Sequence, residues 1–374
     1  MKKIVIIGAG FAGLSALSAL SKSGENLEVY VIDKKKEFVF SPALPDTIGR
    51  RINREFLTRG IEELQGKFNF KFVNREVTSV DLDKRRVTAA GQAFDYDCLI
   101  IASGSETNFY GNQSMARQSF KLDDAADAKL IIDALQREDF AYYIIAGAGY
   151  TGVEIATNLR RYLDKKSAHK RIIIVERAAS LLGPLPQWMK DYVAANLSRL
   201  KVEVLLNTVV EKLEERRVVL SDKQSFDQAM FIWSAGVKTA GFIQNLTLEK
   251  TGQGRLKVDE HLRVSGNCFA CGDAAVFTHR GTPLRMAVQF AITQGSCAAA
   301  NVIRLLRGQR LKKYSPLDLG YIIPMANNRS CGSVLGLNLK GFLPTLLHFL
   351  MCIYRSYGFR NKLGITADLL KGGF

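Results

Sequence analysis

The sequence is notable first for what is missing. No stretch of 18 or more uncharged apolar residues occurs, so no membrane-spanning helix is expected. Met1-Lys2-Lys3-Ile4 opens like a secretion signal, but the chain reaches Gly8-Ala9-Gly10 after four aliphatic residues, too few for an h-region. The 6 cysteines, at 98, 268, 271, 297, 331 and 352, have no disulfide-framework spacing, and a reducing compartment is expected. The 4 histidines are scattered without ligand spacing, so no metal is expected. There is no Walker A loop and no nucleophile elbow. Hydrophobic residues at 47% and charged residues at 24% exclude bulk disorder and fibrous repeats. A length of 374 residues suits about two domains.

The net charge is +16, and more than half of it lies in residues 304–374, with eleven Lys/Arg against Asp318 and Asp368. Such a segment fits nucleic acid or anionic lipid. Its basic residues alternate with aliphatic ones and no nucleic-acid fold signature is present, which favours lipid.

One internal repeat carries the chemistry. Lys3-Ile4-Val5-Ile6-Ile7 runs into Gly8-Ala9-Gly10-Phe11-Ala12-Gly13, and Tyr143-Ile144-Ile145-Ala146 runs into Gly147-Ala148-Gly149-Tyr150-Thr151-Gly152. Each glycine run enters an Ala- and Leu-containing helix, and each is followed by a second strand ending in an acid, Asp33 or Glu176. Strand, glycine turn, helix, strand and acid form a dinucleotide-binding unit. The first glycine makes the tight turn, the second admits the pyrophosphate, and the third allows close helix–strand packing. The helix N-terminus holds the anion, and the acid is expected on ribose hydroxyls. Two units in one chain point to a flavin and a nicotinamide that exchange a hydride. Three further strands, ending at Ala102-Ser103-Gly104, Ser234-Ala235-Gly236 and Gly272-Asp273, place small residues or a carboxylate where a planar cofactor is approached.

On these motifs the chain resembles a two-dinucleotide-binding-domain flavoprotein, and within that group a type II NADH:quinone oxidoreductase. The resemblance extends to Gly104–Gly111, Trp233–Val237, Phe269–Asp273 and Phe359–Lys362. It implies an α/β fold of two Rossmann-like domains, one inserted in the other, with a C-terminal amphipathic helical membrane-anchoring tail. The expected boundaries are 1–109 and 237–320 for the FAD domain, 110–236 for the NADH domain, and 321–374 for the tail. Gly8, Gly10, Gly13, Asp33, Val77, Ala102, Gly104, Asp273 and Ala287 are expected to hold FAD. Gly147, Gly149, Gly152, Glu176 and Gly236 are expected to hold NADH, and Arg177 beside Glu176 leaves NADPH open. Glu154 matches a carboxylate near the nicotinamide, although a first-turn helix acid is the plainer reading. Gln289 and Thr293, four apart on one helix face, match the quinone-site helix, with Thr293 where the family has Gln and Gln294 one position off.

Disulfide reductases of the group need a Cys pair near residues 38–45, and sulfide:quinone oxidoreductases a Cys near the second glycine run; neither is present. On a strand, Cys268 and Cys271 would point to opposite faces, which favours buried apolar roles over a redox pair. Residues 342–354 are apolar and flanked by Lys340, Arg355, Arg360 and Lys362. At roughly 20 Å as a helix they are too short to span a bilayer and suit an in-plane anchor. A homodimer interface or packing against the body are the alternatives. The expected protein is a peripheral membrane enzyme on the cytoplasmic face, reducing a quinone without pumping protons. A sulfide-linked enzyme, a reductase of an acidic carrier protein, and a redox-sensing flavoprotein remain the competing classes.

Overall fold

A computed structural model describes residues 1–372. In chain order, the elements that matter begin with β1 (Lys2–Ile7), α1 (Phe11–Ser21), β2 (Leu27–Asp33), α2 (Asp46–Gly49), β3 (Lys71–Asn74) and β4 (Cys98–Ile101). Next come β5 (Tyr142–Ala146), α3 (Tyr150–Lys165), β6 (Arg171–Val175), β7 (Val202–Leu205) and β8 (Ala229–Trp233). Then follow β9 (Arg263–Ser265), β10 (Cys268–Ala270) and α4 (Val288–Leu306). The C-terminal part holds β11 (Gly320–Ile323), β12 (Ser330–Val334), β13 (Leu337–Gly341), α5 (Phe342–Arg355) and α6 (Phe359–Gly372).

The chain divides into two compact units. The first comprises residues 1–38, 59–106 and 237–318. Its sheet has the order β9-β10-β4-β1-β2-β3, parallel except for the β9–β10 pair. The aliphatic run Ile4-Val5-Ile6-Ile7 is buried on both faces, as a central parallel strand requires. On one face α1 and α4 pack closely: Ser15 Oγ donates to Ile292 O at 2.7 Å, and a Cβ at Gly295 would lie 2.1 Å from Ala12 O. Gly295 is thus required by a helix crossing.

The second unit comprises residues 39–58, 107–236 and 319–374. Its parallel sheet has the order β7-β6-β5-β8. Residues 39–58, expected with the first domain, belong here because Gly49 lets α2 press onto α3; a Cβ there would sit 2.4 Å from Asn158 O. The segment after residue 318 also belongs here, and it is not wholly helical as expected. Its first part is the antiparallel sheet β11-β12-β13. Leu335 and Gly336, both at positive φ (50° and 82°), form the two-residue hairpin turn between Val334 and Leu337. Gly341, at φ 87°, starts α5. Among the described residues no helix is long and apolar enough to cross a membrane.

Candidate functional site

Each unit contains one glycine cradle, and the two are built alike. In the first, Gly8 sits at φ +100°, donates to Ile32 O at 2.8 Å, and would place a Cβ 2.3 Å from Ala102 O. A Cβ at Gly13 would lie 1.9 Å from Gly8 O. In the second, Gly147 sits at φ +102°, donates to Val175 O at 2.8 Å, and would place a Cβ 3.1 Å from Ala235 Cα. A Cβ at Gly152 would lie 1.9 Å from Gly147 O. The middle glycines differ from these in kind. Gly10 and Gly149 are the N-caps of α1 and α3, with no side-chain cap, and a Cβ on either meets no protein atom within 4 Å. Both helices have no acid in the first turn. The space before two uncapped helix starts, kept clear by a glycine, suits an anionic diphosphate.

The strand-end acids brace these loops. Asp33 Oδ2 accepts from Ala9 N at 2.7 Å and Oδ1 from Lys35 N at 2.8 Å. Glu176 Oε2 accepts from Ala148 N at 2.8 Å and Oε1 from Ala178 N at 2.8 Å. Each carboxylate oxygen retains a second lone pair, so bracing leaves room for a ribose hydroxyl.

Other expected positions divide more unevenly. Ala102 is buried, and Gly104 at φ +69° faces open space. Asp273 accepts from Ser105 Oγ at 3.0 Å, and burial pushes its carboxyl up. Ala287 is the N-cap of α4. The side chain of Val77 is part of the hydrophobic cluster with Val5, Ile7 and Val87, and the residue pairs with Ala89 in an antiparallel ladder. Gly236, at φ +88°, is covered by Tyr110, whose hydroxyl oxygen would lie 2.1 Å from a Cβ there.

On α4, the Thr293 hydroxyl pairs with Tyr314 Oη at 2.8 Å and bonds Gln289 O at 2.9 Å. Gln289 Nε2 donates to Asp318 Oδ1 at 3.0 Å, and Asp318 also holds Arg285 through two contacts of 2.6 Å. Gln294, the residue out of register, accepts from Gly272 N at 2.8 Å and so positions the turn that carries Asp273. Sequence reasoning missed Arg285, Tyr314 and Asp318, which no motif marks. It also missed Gln294's bracing role; the amide was visible, its target was not.

The cysteines behave as buried residues. Cys268 and Cys271 are free, and burial pushes both thiols up, Cys271 to about 12.

Glu154 lies on α3, two residues beyond Gly152. Its surface is partly open, but dense protein surrounds it; burial first, then the charge of Asp46, push its carboxyl well up. Asp46 (4% exposed) pairs with Arg50 (2% exposed), Nε to Oδ1 at 3.1 Å, and receives Asn158 Nδ2 at 3.5 Å. Burial, against these partners, raises Asp46 to about 6.

Comparison with known proteins agrees with this geometry. A type II NADH:quinone oxidoreductase of Staphylococcus aureus (strain NCTC 8325 / PS 47) is 25% identical over 369 residues, covering 91% of each chain. The fold is similar to NDH2 from Plasmodium falciparum solved in complex with NADH, with a TM-score of 0.87 at 18% identity over 99% of this chain and 98% of that one. The sulfide:quinone oxidoreductase of Aquifex aeolicus has a TM-score of 0.79 at 17% identity, covering 97% and 92%. The family model for pyridine nucleotide-disulphide oxidoreductases matches residues 2–295, spanning both glycine cradles and α4 as far as Gly295. With two such cradles in an α/β fold, the chain belongs to the pyridine nucleotide-disulphide oxidoreductase family.

Proposed function

We propose that the protein is an NADH:quinone oxidoreductase that holds FAD at the Gly8 cradle, takes NADH at the Gly149 cradle, and passes two electrons to a membrane quinone. The observation that carries this reading is the doubled cradle with clear space at both Gly10 and Gly149, which fits one chain that binds two dinucleotides. When bound, FAD supplies the two-electron relay. The chain's own residues do the rest. The starts of α1 and α3 receive the diphosphates, and Asp33 and Glu176 hold the loops that present them. Asp273 and Gly104 line the first site, and Glu154 holds a proton beside the second. Gln289 and Thr293 offer an amide and a hydroxyl to a quinone carbonyl from an already bonded network with Asp318 and Tyr314.

Membrane attachment is the second part of the proposal. Helix α5 is apolar on both sides: inward it buries Pro344 and Phe349. The same inward side carries Thr345, bonded to Ser330 Oγ at 2.6 Å, with His348 and Cys352. Outward it presents Phe342, Leu343, Leu350, Met351 and Tyr354, and α6 adds Phe359, Leu363 and Leu370. Leu335 and Leu337 at the hairpin add two more exposed leucines. Apolar surface flanked by Lys340, Arg355, Arg360 and Lys362 suits in-plane insertion among anionic headgroups. A cytoplasmic-face location belongs to the same proposal.

The test is anaerobic. The flavin-loaded protein is mixed with NADH, then with a short-chain quinone, while flavin absorbance is followed. Bleaching followed by return of the colour supports the proposal; bleaching that quinone does not reverse refutes the acceptor, and no bleaching refutes the donor. Pelleting with anionic vesicles tests attachment, and a soluble dimer that ignores vesicles would refute it.

A further inference from the structure

We propose that Asp46 is a positioning residue for Glu154: from α2, packed on α3, its buried carboxylate biases the neighbouring acid toward its neutral form. This rests on the functional reading above, in which NADH, one proton and quinone give NAD and quinol. The hydride brings one of the quinol's two hydrogens, and the other must come from solvent through an acid.

The two carboxylates are held on adjoining helices. Gly49 allows α2 to lie against Asn158 of α3, and the Asn158 amide ties the Asp46 carboxylate to the α3 turn that carries Glu154. Its Nδ2 donates to Asp46 Oδ1 at 3.5 Å and to the main-chain oxygen of Glu154 at 3.1 Å. Asn158 Oδ1 is buried without a hydrogen-bond partner. If the amide turns over, that oxygen becomes the acceptor for a protonated Asp46.

Asp46 is surrounded on every side. On its own helix Arg50 forms the ion pair, and the guanidinium is held by Asn328 Oδ1 at 2.7 Å and by the Phe349 ring at 4.8 Å. From α3, Arg161 acts on it at longer range. From α5, His348 Nε2 lies 3.9 Å from Asp46 Oδ2 and 3.4 Å from Cys352 Sγ. Burial pulls His348 down to about 4 and pushes Cys352 up, so both stay uncharged at neutral pH. The helix Ala125–Arg137 brings aliphatic Ile131 and Leu135 to the neighbouring Ile48. Arg50 and Asp46 are therefore the close charges of the cluster; burial raises Glu154 first, and Asp46 is the negative charge that adds to it.

The geometry gives a sign. Removing the Asp46 charge takes away the negative field on Glu154 and leaves Arg50 without its ion-pair partner, so Glu154 gives up its proton at lower pH. In Asp46→Asn the alkaline limb of the quinone-reducing step should move to lower pH by roughly one unit, a rate roughly tenfold lower on that limb. Asp46→Glu keeps the charge and should keep the limb. In a Glu154→Gln background, Asp46→Asn should move nothing further.

An infrared titration of the protein reads the same coupling without turnover. The protonated-carboxyl band that disappears in Glu154→Gln should persist well above the ordinary carboxylate range, and should titrate lower in Asp46→Asn. An unmoved limb in folded Asp46→Asn would overturn the proposal, as would a shift that survives in Glu154→Gln. So would a Glu154 band titrating in the ordinary range in the unsubstituted protein, which needs no Asp46 variant to fold. If quinone is not reduced at all, the functional reading fails, while the infrared titration still decides the link between Asp46 and Glu154.

Discussion

Gly10→Val should separate cofactor binding from folding. Gly10 has φ −78° and ψ −165°, extended backbone open to any residue, and a Cβ there touches no protein atom within 4 Å. The apo fold should therefore tolerate valine, with stability unchanged or raised by about 0.4–1 kcal/mol through the loss of glycine's unfolded-state freedom. The diphosphate should not tolerate it. Hydrogen bonds from main-chain N–H groups to a charged partner contribute about 1.5–3 kcal/mol each, and forfeiting two costs about 3–6 kcal/mol. That is roughly 10²- to 10⁴-fold in affinity. The assay is flavin per protein in the purified variant, with melting of the apo form beside the parent's. Gly13→Ala is the contrast. Its Cβ would lie 1.9 Å from Gly8 O, a backbone clash expected to cost about 3 kcal/mol or more and to lower the apo melting temperature outright. A Gly10→Val protein with full flavin at the parent's affinity would refute the argument, as would one that unfolds before it loses flavin. Gly149→Val should show the same separation for NADH, with flavin retained and KM raised.

Three further outcomes follow from the packing. Leu350→Asp with Met351→Asp places charge on the outward side of α5 and should abolish vesicle pelleting while the melting temperature stays within about 1 °C of the parent's, since exposed substitutions change stability little. A melting temperature that falls with binding would mean the face packs on protein. Gly295→Ala should destabilise by about 1–3 kcal/mol, read from the urea midpoint, because its Cβ would meet Ala12 O at 2.1 Å. The acid side of the stability profile should report His348, which lies at about 4 in the folded protein against an ordinary 6.5. Between those values the unfolded chain binds more protons, so His348 makes stability rise with pH across that window. Asp46, at about 6 against 3.8, does the reverse and makes stability fall from about pH 4 to 6. His348→Gln should remove the rising contribution, so that over this window the variant loses about 3 kcal/mol more than the parent. Identical urea profiles for the two would contradict the burial argument.

The two cradles were legible in the sequence because their glycine pattern is local, although the atoms Gly8 and Gly147 press against lie far along the chain. A positive φ, a one-residue clash and a helix start are properties of six consecutive residues, and Gly8–Gly13 and Gly147–Gly152 declare them without help. The strands that enter them were equally plain, since a strand buried on both faces must be continuously aliphatic. The acids Asp33 and Glu176 followed from spacing alone. The helix proposed to meet the quinone was expected from its spacing, but spacing could not tell what each buried glutamine bonds. Gln294 is spent on Gly272 N because α4 lies beside the β10 turn, a matter of helix placement.

The Asp46 cluster was not legible in any stretch of sequence. Asp46, Asn158 and His348 are separated by more than a hundred residues at each step and belong to no shared motif. An acid beside Pro45 reads as a turn residue, and a histidine inside an apolar run reads as an interruption of it. Only the packing of α2 on α3, which Gly49 permits, and the approach of α5 to α2 turn them into one buried electrostatic unit. The tail shows the same division. Its apolar run and flanking cations were plain in the sequence, whereas tertiary packing decided which side of α5 is buried and that residues 39–58 and 319–374 join the unit of the second cradle. Local conformation is set by neighbours in the chain, while burial and charge coupling depend on neighbours in space.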